Sequence, residues 1–174
     1  MAVAGGGTRR IGNLPPMPEL PEGTVTFLFT DVEGSTRMWE EAPDTMMEAL
    51  RQHDEIIEHA AENCTGVPVR PRGEGDSRFV VFASAADAVS AAADIQRELA
   101  SAEWGTPEPI RVRMAVHTGL ADLRSGDYYG SAVNRAARLR GIAHGGQTLV
   151  SSTVGAVRII SLNCRLRVAL QGLP

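Results

Sequence analysis

The chain has 174 residues, the length of one folded domain, and its 43% hydrophobic and 22% charged residues are an ordinary globular composition. Disordered, collagen-like and coiled-coil classes are excluded on that ground. A formal net charge of −4, from 21 acidic against 17 basic residues, argues against a polyanion such as duplex DNA, and no nucleic-acid partner is expected.

The first twenty-two positions contain Gly5–Gly7, Pro15, Pro16, Pro18 and Pro21 without periodicity, and read as a flexible Gly/Pro-rich arm. Met1–Leu20 lacks the apolar core and cleavage site of a secretory signal, and no run approaches the roughly 20 apolar residues that span a bilayer. A cytoplasmic location with no membrane partner is therefore expected. From Thr24 onward Val25, Phe27 and Phe29 alternate with threonines, the period of a strand. That strand runs into Asp31-Val32-Glu33-Gly34-Ser35-Thr36, where Gly34 permits a tight turn and Ser35 or Thr36 is expected to cap a helix. Helical spacing continues through Met46, Leu50, His53, Ile57, Ala60 and Cys64, with a break at Pro43-Asp44.

Val67–Arg70 and Arg78–Phe82 predict a hairpin with a glycine-rich tip. Ser84 with Asp87 three residues on predicts a capped helix whose narrow face is Ala85, Ala88, Ala92, Ile95 and Leu99. Ile110, Val112, Met114 and Val116 form a half-buried strand, and a Gly- and Asp-rich loop is expected after His117. Ser131–Ile142 reads as a helix, Gln147–Ser151 as a strand and Ser152–Val157 as a further helix. The order β-α-β-β-α-β predicts an α+β fold of the ferredoxin-like, split βαβ kind: an antiparallel sheet with helices on one face. The domain is expected over residues 23–160, followed by an atypical tail over 161–174. Cys64 and Cys164 fall outside any metal or disulfide pattern and read as packing residues, as does Trp39 between the first helix and the sheet.

Four spots carry chemistry. Asp31 ends the first strand beside a loop that opens on a helix N-terminus, a seat for phosphate oxygens. Asp76 sits in the glycine-rich hairpin tip, which the topology places beside that strand. Two converging carboxylates with a phosphate-binding loop suit hard, oxygen-loving Mg²⁺ or Mn²⁺. The third spot is Asp127-Tyr128-Tyr129-Gly130, and the fourth is the helix face bearing Asn134 and Arg138 at i and i+4. Each taken alone is an ordinary turn, cap or surface residue; their combination is informative.

The blocks Thr26–Thr36, Gly75-Asp76, His117-Thr118-Gly119 and Tyr129–Arg138, in that order, resemble the class III nucleotide cyclase catalytic domain in its small actinobacterial style. The resemblance covers about Gly23–Ser152. It implies that Asp31 and Asp76, with the Val32 main chain, hold two ions of Mg²⁺ or Mn²⁺, and that Val32, Glu33, Gly34, Ser35 and Thr36 wrap the triphosphate. It implies too that Asp127 accepts from the adenine amino group, with Tyr128 beside it, and that Arg72 stands where the family has a base-contacting lysine. Glu74 is a second candidate for a base contact. Asn134 and Arg138 match the pair that orients the ribose and stabilises the transition state. In the family the metal residues come from one subunit and the base-contacting and transition-state residues from the other, so a head-to-tail homodimer with shared sites and ATP as substrate is expected. The chain departs from the family in having no lysine after Asp31 where a late one holds the triphosphate; Arg165 and Arg167 are the candidates to replace it. The expected activity is adenylate cyclase. The alternatives are guanylate cyclase, or a catalytically weak nucleotide-binding or regulatory module.

Overall fold

The computed structural model describes residues 19–69 and 75–154. In chain order these form β1 (Gly23–Val32), α1 (Ser35–Glu41), α2 (Pro43–Asn63), β2 (Val67–Val69), β3 (Arg78–Phe82), α3 (Ala85–Ser101), β4 (Val112–Arg124), β5 (Asp127–Tyr129), α4 (Ser131–Gly141) and β6 (Thr148–Val150), with a 3₁₀ turn at Ser152–Val154. The sheet order is β2-β3-β1-β4-β5, and β6 lies parallel to β4. All other pairings are antiparallel. The α+β, split βαβ architecture is as expected. Most of the arm, the hairpin tip 70–74 with Arg72 and Glu74, and the tail with Arg165 and Arg167 lie outside the described residues.

The period-2 pattern of β1 has both of its faces covered, because the strand is central. Leu28, Val80, Phe82, Met114 and Val116 point to one side and pack against Met46, Ile57, Ala92 and Ile95 of α2 and α3. Val25, Phe27, Phe29, Phe79 and Val81 point to the other, where Ala132, Val133 and Ala136 of α4 and the ring of Tyr128 meet them. Each fully buried large side chain of this kind contributes about 1.5–3 kcal/mol. The helices are thus not confined to one face: α4 crosses to the second, and this helix carries the candidate ribose and transition-state residues.

Two local expectations are corrected. The start of α1 is not capped by Ser35 or Thr36; the cap position is Gly34, left-handed at φ 73°, and no side chain closes it. The loop expected after His117 is instead the second half of β4, which continues through the β1 partners Gly119 and Ala121 and turns at Ser125-Gly126 into β5. Both turn residues have positive φ, 51° and 78°, as a two-residue hairpin turn requires. The capped start of α3 is as expected, with the Asp87 N–H donating to Ser84 Oγ at 3.3 Å.

Candidate active site

Asp31 lies near the end of β1 directly across from Arg113 of β4. The register itself creates the ion pair: Arg113 Nε donates to Asp31 Oδ2 at 2.6 Å and its Nη2 closes on the same oxygen. The other carboxylate oxygen, Oδ1, accepts from Ser77 Oγ at 2.9 Å and stands 3.7 Å from Arg140 Nη1. Arg140 also donates to Ser77 Oγ at 3.2 Å. Asp31 is 8% exposed and Asp76 5%. Ser77, next to Asp76 in the chain, brings the hairpin tip onto Asp31.

The tip is held from α2. Arg78 Nη1 donates to the carbonyl oxygens of Gly75 and Ser77, both at 2.9 Å, on either side of Asp76. Its Nη2 pairs with Asp54, which lies 2.8 Å from Nδ1 of the fully buried His53. A cavity of about 520 Å³ opens beside the tip, lined by Ser35, Thr36, Trp39, Glu40, Leu50, Gly75 and Asp76. Trp39 is 38% exposed in its wall rather than packed under α1; Met38 takes the core position instead. A larger cavity of about 670 Å³ at the end of α3 holds none of the candidate residues.

The loop Val32–Thr36 divides by role. Val32 is buried in the core, so only its main chain is available. The Glu33 N–H is already donated to the Arg111 carbonyl at 2.9 Å, and the Glu33 carboxylate stands 4.0 Å from His144 Nδ1. Ser35 and Thr36 begin α1, where N–H groups lack intrahelical acceptors by position, and both line the cavity. Among the described residues no group of three or more His, Cys, Asp or Glu side chains forms a metal cluster. Two buried carboxylates with main-chain oxygen nonetheless fit Mg²⁺, which keeps waters and takes its remaining ligands from substrate phosphates.

Asn134 and Arg138 are exposed on the side of α4 away from Ala132, Val133 and Ala136. They share one face, and neither is among the hydrogen-bond or ion-pair partners of Asp31, which are Ser77, Arg113 and Arg140. Asp127 is half-buried and its Oδ1 accepts the Tyr128 N–H at 2.8 Å. Tyr128 is corrected from a nucleotide contact to a core residue: it is fully buried, edge-on to Phe27 and Phe79, and its hydroxyl donates to the Pro21 carbonyl at 2.5 Å. Burial, with Glu22 adding to it, pushes this phenol up to about 12. His117 is buried with Nδ1 2.7 Å from Ser151 Oγ, and burial first, then Arg135, lowers its pKa below the ordinary histidine value.

Sequence reading missed Ser77, Arg113 and Arg140. The signal for Arg113 was present as its alternation with apolar residues in β4, but the partner across the sheet is set by register.

Residues 17–172 match the family described as the adenylate and guanylate cyclase catalytic domain. An uncharacterised protein of Mycobacterium tuberculosis is 42% identical over 135 residues, 78% of this chain and 45% of that protein. The chain therefore spans under half the length of that relative. Adenylate cyclase of Lachancea kluyveri is 35% identical over 164 residues, covering 78% of this chain and 9% of the yeast protein. Among solved structures, a Trypanosoma brucei adenylate cyclase in its monomeric state superposes with a TM-score of 0.71 at 30% identity, over 79% of this chain and 77% of that one. The guanylate cyclase domain of a Catenaria anguillulae protein, solved with GTP, shares the fold at a TM-score of 0.66 and 22% identity, over 76% and 80% of the two chains.

Proposed function

The chain belongs to the adenylate and guanylate cyclase catalytic-domain family, and from that premise we propose that it converts ATP to 3′,5′-cyclic AMP and pyrophosphate at a site shared by two copies of itself. The observation that carries this reading is the division of α4. Asn134 and Arg138 stand exposed on its outer side, whereas Arg140 of the same helix reaches back to Asp31, beside the hairpin tip that carries the buried Asp76. One chain thus presents two half-sites that face apart, and each is completed by the opposite half of a second copy, head to tail.

Within such a site the N–H groups of Ser35 and Thr36, opening on the cavity, take triphosphate oxygens. Asp31, Asp76 and the Val32 carbonyl would hold two ions of Mg²⁺ or Mn²⁺, which when bound polarise the 3′-hydroxyl and offset the charge of the leaving pyrophosphate. The bond from O3′ to the α-phosphorus forms as the bond to pyrophosphate breaks, and the hydroxyl proton is released. Asn134 of the second copy orients the ribose, and Arg138 of that copy faces the charge that grows on the α-phosphate. Asp127, an acceptor, suits the amino group of adenine and opposes the carbonyl of guanine.

The test is to incubate the chain with Mn²⁺ and either ATP or GTP and to quantify cyclic nucleotide. Cyclic AMP from ATP is the expected product. Product from GTP alone would make the chain a guanylate cyclase, and nucleotide binding without product would make it a non-catalytic module.

A further inference from the structure

Two arginines meet Asp31, and they are held very differently. Arg113 closes on Oδ2 through both Nε and Nη2. Arg140 stands 3.7 Å from Oδ1, makes one hydrogen bond to the neutral Ser77 hydroxyl, and leaves its own Nε buried without a partner. A buried guanidinium N–H without an acceptor carries a desolvation cost that a better acceptor would remove. Arg140 is therefore the cation of the pair that is free to leave.

Charge gives it a reason to do so. Asp31 alone faces both Arg113 and Arg140, so its carboxylate is balanced without any divalent cation. Divalent cations entering alone would meet two positive guanidinium groups, whereas cations entering with a polyphosphate bring their own balancing charge. Arg140 also sits where it can follow such a ligand. It lies in the last turn of α4, and the chain just beyond runs against the phosphate loop: a Cβ on Gly145 would fall 2.5 Å from Glu33 Oε2.

We propose that Arg140 is an exchangeable counter-ion of its own chain's site, neutralising Asp31 when no divalent cation is bound and passing to the substrate's polyphosphate oxygens when one is. This rests on the reading of Asp31 as a metal ligand. Arg140 thus opposes binding of the metal alone and supports binding of polyphosphate with metal, and so couples the two. The last turn of α4 serves the chain's own site while the exposed face of the same helix serves the second copy.

The measurement uses two titrations without turnover: Mn²⁺ alone, followed by electron paramagnetic resonance, and inorganic tripolyphosphate at saturating Mn²⁺, followed by calorimetry. R140Q is expected to bind Mn²⁺ about threefold more tightly, the scale of a partly exposed ion pair, and tripolyphosphate about tenfold more weakly, the scale of a charge-assisted contact. Shifts of opposite sign are the signature; no shift, or two shifts of the same sign, overturns the proposal. R140K keeps the charge and is expected to retain wild-type Mn²⁺ affinity within about twofold, which also serves should R140Q fail to fold. Tightening in R140K would show that shape rather than charge matters, and would overturn the proposal too. D31N separates the two readings: if it leaves Mn²⁺ binding intact, Asp31 is no metal ligand and both fall, whereas if it weakens Mn²⁺ while R140Q moves nothing, only the role of Arg140 falls.

Discussion

Arg138 and Arg140 lie two residues apart on one helix, about 200° around its axis, and they inhabit different environments. Arg140 is three-quarters buried against Asp31 and Ser77; Arg138 is exposed. The inner half-site of Asp31, Asp76, Ser77, Arg113 and Arg140 is assembled by folding itself, through the β1–β4 register and the β3 hairpin. Asn134 and Arg138, the proposed outer half-site, make no side-chain hydrogen bond or ion pair among the described residues. Damage inside should register in both stability and activity, and damage outside in activity alone.

That contrast can be broken in several ways. Asp31→Ala should lower cyclase activity by more than about 100-fold and cost about 1–3 kcal/mol in urea unfolding, because Arg113 and Arg140 are left facing each other without their carboxylate. Arg138→Ala should lower activity about 100-fold with stability within about 0.5 kcal/mol of wild type; a loss of stability as large as that of Asp31→Ala would erase the distinction. Gly119→Ala sharpens it from below, since the new Cβ would fall 2.6 Å from that of Ala132 in the first turn of α4. Overpacking there should cost about 1–3 kcal/mol and reduce activity without touching a reacting group. Asp127→Ala should narrow the preference for ATP over GTP about tenfold, the scale of one mispaired buried acceptor; an unchanged ratio would move base recognition elsewhere.

The smallest effect concerns His117, buried under α4. Its folded pKa lies below the ordinary value, so the unfolded chain takes up a proton first as pH falls below about 6.5. The stability present above that pH should decline as pH drops toward the folded pKa. Unfolding measured at about pH 7.5 and about pH 5.5 should show a larger loss in wild type than in His117→Asn; equal losses would contradict the shift.

What was legible in the sequence was local. The alternation of β1, the Pro43 break, the Ser84 cap and the blocks around Asp31, Asp76 and Asn134 all carry their signal within a few residues. The extent of β4 was not legible because Gly119 and Ser125-Gly126 read alike as breakers. Gly119 is in fact the point where α4 approaches a continuous strand, and only the second pair is a turn. Which face α4 covers depends on the direction of a crossover that its apolar stripe does not encode. Arg113, Arg140 and Ser77 were missed for the same reason: each is an unremarkable polar residue in its own segment and meets Asp31 only through tertiary register. Tyr128 was misassigned because a buried ring and a ligand-facing ring look the same beside Asp127.

The shared site is the central claim, and mixing two impaired chains tests it most directly. Asp31→Ala retains an intact outer half-site and Arg138→Ala an intact inner one, so a mixed dimer has one complete site of its two. Each variant alone is expected to fall about 100-fold or more below wild type, and the mixture to recover roughly a quarter of wild-type activity, as random pairing makes half the dimers mixed, rising with protein concentration. A mixture that stays as low as the separate variants although mixed dimers are shown to form would contradict the shared site.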